Sequence, residues 1–125
     1  MTEIFVFGSN RAGIHGAGAA KYAFKFLDAV WGMGEGLTQQ TYALPTKGYK
    51  IECITLAEVK RAVDTFISIA KAHPNKTFKV TRVGCGLGGH MDEDIAPLFK
   101  DAPANCKFDS VWEDFLPGKQ FWGTF

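Results

Sequence analysis

The segment Ile4–Tyr22 reads IFVFGSNRAGIHGAGAAKY, and it decides the fold. Its apolar residues Ile4 to Phe7 run continuously instead of alternating with polar ones, as in a strand covered on both faces. Gly8, Gly13, Gly16 and Gly18 follow within eleven residues, with Asn10 at the head of the loop, and helical spacing begins at Ala17. Glycine costs backbone entropy, so such a cluster implies a need for bare backbone or positive φ. A phosphate approaching amide N–H groups at a helix N-terminus needs both. Tight packing of a strand-to-helix loop is the alternative. A second loop, Gly84-Cys85-Gly86-Leu87-Gly88-Gly89, also follows a strand-like run and precedes a helix. Two such loops in one chain favour the phosphate.

Working outward, residues 3–8 form the first strand. The first helix runs from Ala17, with Ala20, Ala23, Phe24, Leu27, Val30 and Trp31 on its apolar face, and Gly32, Gly34 and Gly36 end it as cap and linker. Gln40–Leu44 is a strand closed by Pro45, and Lys50–Cys53 is a second short strand candidate. Thr55 and Glu58 have the spacing of a capping box. The helix they open carries Leu56, Val59, Val63, Phe66, Ile67 and Ala70 on one face and closes at His73-Pro74-Asn75. Thr77–Val83 alternates as a β-branched strand. Asp92–Phe99 is a short helix with acids in its first turn, and Asn105–Trp112 is the last strand. The tail, residues 113–125, carries Phe115, Phe121, Trp122 and Phe125, which should pack back on the domain. This order predicts an α/β fold: a three-layer α/β/α domain spanning residues 1–125, with a mixed, mainly parallel sheet. Both glycine loops then leave the carboxyl ends of strands, where open α/β sheets bind ligands.

Composition narrows the function. With 46% apolar and 22% charged residues, the chain has the balance of a folded domain. Its net charge of +1 excludes a broad basic field for gripping nucleic acid. Cys53, Cys85 and Cys106 are odd in number and lack zinc-type spacing, which predicts reduced thiols, a cytoplasmic setting and no metal. No apolar run reaches the roughly 18 residues of a membrane span, and no secretion signal is recognised.

Two dinucleotide and nucleotide motifs fail on spacing. The Rossmann fingerprint requires G-x-G-x-x-G after the first strand, whereas Gly13, Gly16 and Gly18 stand in another order, and no acid follows at the ribose position. No Gly-Lys-Ser/Thr follows for a Walker-type loop. The segment FVFGSNRAGIHGAGAAKYAFKF instead resembles the first ligand loop of macro domains, the ADP-ribose-binding modules. Within them the likeness is to the branch holding the terminal ADP-ribose glycohydrolase and the antitoxins that reverse DNA ADP-ribosylation. VTRVGCGLGGHMDEDIAPLF is similar to the second loop of that branch, and YALPTKG to the segment where it places a catalytic lysine. The resemblance covers roughly residues 4–99.

What this resemblance implies is a domain that binds ADP-ribose or a related NAD-derived nucleotide and hydrolyses an ADP-ribosyl glycosidic linkage on DNA or protein. A non-catalytic reader of the same signal is the alternative. Lys47 and Asn10 would be catalytic, Lys47 beside the anomeric carbon of the distal ribose and Asn10 contacting that ribose. Lys47 as a solvated loop lysine or as a plain phosphate counter-charge stays open. The implied ligand set is Gly8, Ser9, Asn10, Gly13, Gly16, Ala17, Gly18, Thr46, Gly84, Cys85, Gly86, Leu87, Gly88, Gly89 and His90. His15 and His90 would either supply acid–base chemistry or line their loops, and Cys85 would fill space. The partners implied are ADP-ribose and ADP-ribosylated macromolecules, DNA among them, with no membrane, no cofactor and an open oligomeric state; small stand-alone copies resemble bacterial or phage proteins. Two departures stand out. Residues 1–3 hold no counterpart of the adenine-recognising aspartate, for which Glu3 or a tail aromatic would substitute. Gly88 also stands where the glycohydrolase has an aspartate.

Overall fold

In the computed structural model, which describes residues 2–125, the first strand β1 (Thr2–Asn10) lies between β3 (Thr41–Lys47) and β4 (Lys76–Val80) and pairs in parallel with both. Its continuous apolar run serves two cores. Ile4 and Val6 face a larger one under the helix α2 (Leu56–Ala72), and Phe5 and Phe7 face a smaller one under the helix α1 (Gly18–Phe26). Strand alternation alone sends these pairs to opposite faces. A two-residue strand β2 (Gly36–Leu37) pairs antiparallel with β3, and β5 (Cys106–Asp109) and β6 (Gln120–Gly123) extend the far edge in parallel. Among the described residues the sheet order is β2-β3-β1-β4-β5-β6. The result is the expected three-layer α/β/α arrangement on a mixed, mainly parallel sheet. No helix among the described residues is long and apolar enough to cross a membrane.

The second helix follows the sequence closely. Thr55 caps it, accepting from Glu58 N–H while the Glu58 carboxylate accepts from Thr55 N–H, so both halves of the box form. Val59, Val63, Phe66, Ile67 and Ala70 are buried as their spacing requires, whereas Leu56 stays exposed. The acids Asp92, Glu93 and Asp94 open α3 (Asp92–Ile95), which continues as a 3-10 turn to Phe99 with Pro97 near its start.

Elsewhere tertiary contacts redraw the boundaries. Helix α1 stops at Phe26, leaving Val30 and Trp31 outside it and exposed, with Phe24 exposed on its flank. The Asp28 carboxylate pulls the chain out of the helix by accepting from Gln39 N–H at 3.0 Å and from the Thr38 hydroxyl. The glycine linker contains β2. Pro45 lies inside β3 instead of ending it; β2 reaches only to Ala43, so on that flank the missing N–H breaks no ladder. Lys50–Cys53 is not a strand but a turn, with a single bridge between Lys47 and Cys53. Strand β4 ends at Val80, before Thr81 and Arg82 bend into the second glycine loop. Strand β5 ends at Asp109, whose carboxylate caps the 3-10 segment Ser110–Phe115 by accepting from Val111 N–H. The tail supplies β6. Phe121 packs on the larger core and Trp122 Nε1 donates to the Val80 carbonyl at 2.9 Å, while Phe115 and Phe125 remain exposed.

Candidate functional site

Because β3, β1 and β4 run parallel, their carboxyl ends and the loops that follow meet on one rim. A cleft of about 470 Å³ opens there. Its floor is Gly8, Ser9 and Asn10 of β1, flanked by Thr46 and Lys47 of β3 and by Thr81, Arg82 and Val83 after β4. Gly16, Ala17 and Gly18 wall it on one side, and Gly84, Cys85, Gly86, Leu87 and Gly88 on the other. The two glycine loops therefore face one hollow.

Among the described residues, each loop carries backbone donors that have no acceptor of their own. Ala17 precedes α1 in extended conformation, and no side chain caps the helix. Gly18, Ala19 and Ala20 all line the cleft, and among the described residues their N–H groups have no acceptor. In the second loop Gly88 N–H donates to Cys85 and Gly89 N–H to Gly86, leaving the amides of Gly86 and Leu87 without an acceptor among the described residues. Nor does any Asp or Glu side chain among those residues line the cleft, whose charged side chains are Lys47 and Arg82. Uncommitted amides, a helix N-terminus and cations make an environment for an anion.

The first loop is held open by Asn10. Its Nδ2 donates to the Ile14 carbonyl at 2.8 Å and its Oδ1 accepts from Ile14 N–H at 3.0 Å. Most of its side-chain bonding is thus spent on the loop. Thr46, buried at the floor, donates to the Ser9 carbonyl at 3.3 Å. A Cβ at Gly8 would lie 3.4 Å from Thr46 Oγ1 and 3.5 Å from Gly84 N, in ordinary van der Waals contact with both, so strand and second loop lie close here without a steric need for glycine. Lys47 is half-buried, and its side chain makes no hydrogen bond or ion pair among the described residues.

Beneath the second loop, Arg82 Nε donates to Asp92 Oδ1 at 2.8 Å and Trp112 Nε1 donates to the same oxygen at 2.7 Å. The Arg82 guanidinium, aided by the Trp112 indole, holds the Asp92 carboxyl down at about 2. Burial, reinforced by the Asp92 carboxylate, pushes the Cys85 thiol up to about 12. Burial that holds the thiol neutral fits the expected space-filling role.

Three expected ligand residues lie off the cleft lining. Gly13 is packed against the Gly32–Met33 backbone, where a Cβ would meet Gly32 C at 2.2 Å. Gly89 faces Cys53, with a Cβ 3.0 Å from its Sγ. The His90 ring turns to the Ile54 carbonyl, 2.9 Å from Nε2. His15 is also a structural residue, buried edge-on against Phe7 with Nε2 2.8 Å from the Val30 carbonyl. Conversely Arg82, Ile14 and Ile51 line the cleft unforeseen, and Phe125, one of the tail aromatics expected to pack back on the domain, lines it as well. Arg82, placed just before the second glycine run, carried a usable signal as a charged residue at a strand's carboxyl end. Which tail aromatic would reach the cleft carried no local signal, because only folding brings Phe125 across to Tyr22 of α1. Compared with family models, characterised proteins and solved structures, the chain finds no significant match.

Proposed function

We propose that this chain binds ADP-ribose or a related NAD-derived nucleotide in the cleft and hydrolyses an ADP-ribosyl glycosidic linkage on DNA or protein, as its resemblance to macro domains implies. The observation that carries the reading is that two loops with uncommitted backbone N–H groups line one hollow, together with Lys47, the Asp92-paired Arg82 and, among the described residues, no Asp or Glu side chain. A diphosphate would lie between Gly16–Gly18 and Gly84–Gly88, accepting from both. A second hollow of about 240 Å³ adjoins the cleft and shares Phe125 with it. Phe5, Tyr22 and Trp122 wall it, and Glu3 and Gln40 offer polar groups. On this reading adenine stacks there and Glu3 accepts from its exocyclic amine. The distal ribose then reaches Lys47, whose neutral amine displaces the acceptor at the anomeric carbon and passes its proton to the departing acceptor, after which water displaces the lysine to give free ADP-ribose. Asn10, committed to Ile14, would act by shaping the loop that receives that ribose.

Purified protein mixed with ADP-ribosylated DNA and ADP-ribosylated protein should release free ADP-ribose, measured chromatographically. Lys47→Ala should slow release by about a hundredfold or more. A second reading, a reader without catalysis, is favoured by one feature: neither an acid nor a histidine joins Lys47 in lining the cleft. In that case calorimetry shows ADP-ribose binding to wild type and to Lys47→Ala alike, and neither releases product. Absence of ADP-ribose binding by wild type would remove both readings.

A further inference from the structure

Ile51 is the one non-glycine residue with a left-handed backbone among the described residues, at φ 61°. A β-branched side chain is crowded there, and glycine or asparagine would be the unstrained choice. The turn that holds it does not use its side chain. Gly48 N–H donates to the Glu52 carbonyl at 3.0 Å, Ile51 N–H to the Gly48 carbonyl at 3.1 Å, and Lys50 N–H to the Glu52 carboxylate at 2.9 Å. Nor does Ile51 join either core; it is 41% exposed and lines the cleft on the Lys47 flank. Backbone strain that buys the fold no contact is what functional sites retain.

We propose that Ile51 is a positioning residue whose side chain covers the distal ribose of the bound ligand beside Lys47. The left-handed turn aims it there. This rests on the nucleotide reading above and adds the residue that distinguishes ligands by that ribose. The sheet order supports the assignment of ends. Ile51 follows β3 and Gly84–Gly88 follows β4, the two neighbours of β1. The second loop runs back towards the Ile51 flank only at its end, where Gly89 and His90 meet Cys53 and Ile54. Leu87, 70% exposed, reaches from the second loop towards the start of α1, 3.9 Å from where a Gly18 Cβ would stand. Leu87 thus roofs the diphosphate end, and Ile51 remains for the sugar end. An aliphatic group over one face of the sugar restricts its orientation and fixes its approach to the lysine.

The test is calorimetry of wild type, Ile51→Gly and Ile51→Asn with ADP-ribose and with ADP, which lacks the distal ribose, alongside thermal melts of the free proteins. Both replacements accept the left-handed backbone, so the free melting temperature should hold or rise. ADP-ribose affinity should fall about fivefold or more in both variants. ADP affinity should change by less than about twofold. Equal losses for the two ligands, unchanged ADP-ribose affinity, or a lowered melting temperature each overturn the assignment while the nucleotide reading stands. A wild type that binds neither ligand overturns the parent reading and this assignment together.

Discussion

At Gly13 the backbone turns left-handed, with φ 70°, and its N–H and carbonyl bond to Asn10 and Gly32. Gly13→Ala would add both the φ strain and a contact at 2.2 Å with backbone that has nowhere to move. We expect a loss of about 3 kcal/mol in urea denaturation. Gly16→Ala is the counterpart, because a Cβ there meets nothing within 4 Å. It should be neutral or stabilising by up to about 1 kcal/mol. Both glycines stand in one visible cluster, yet only the close approach of residues 32–33 separates the structural one from the one lining the cleft. Asp92 gives a pH signature at the same scale. Its pKa is depressed by Arg82, so the pair's contribution is full above the ordinary carboxylate value of about 4 and is lost as pH falls through about 2. Acid titrations of the melting temperature should show this loss in wild type and a flatter acid limb in Asp92→Asn. Matching profiles would show that the pair is not coupled to folding.

Among the elements, β6 was the least visible in advance and has the widest consequences. Gln120 and Phe121 pair with Lys107 and Phe108, Trp122 reaches the Val80 carbonyl, and Phe125 ends the segment at the cleft. Truncation after Lys119 removes a parallel strand, a partly buried hydrogen bond and an aromatic packed against the larger core. We expect a loss of about 3 kcal/mol or more by denaturant titration, together with weakened ADP-ribose binding from the lost Phe125 wall. An unaltered denaturation midpoint would mark β6 as an uncoupled edge. By contrast α2 was legible almost to the residue. Its capping box and its three-and-four spacing act within a few turns of one helix. Helix α1 shows the limit of that logic, since its apolar spacing continues to Trp31 while Asp28 bonds towards β3 and ends the helix five residues earlier.

For the molecule as a whole, the three layers are unequal: the nine-residue α1 stands over one face, and α2 with α3 and the 3-10 segments covers the other. The inequality matters for the site, because the uncapped start of that short helix forms one wall of the cleft. The sequence by itself determined the class of fold, the parallel centre of the sheet, both glycine loops and the cap of α2. These follow from hydrophobic periodicity, glycine placement and hydroxyl-to-carboxylate spacing, all short-range constraints that residues impose on their own neighbourhood. Only the tertiary structure decided that the two loops share a hollow, that His15 and His90 are spent on carbonyls, that Arg82 is tied to Asp92, and that Ile51 and Phe125 come to the rim. Those outcomes join residues far apart in the chain. They depend on strand order and on which polar groups find partners once the sheet has formed, and no local pattern encodes that pairing.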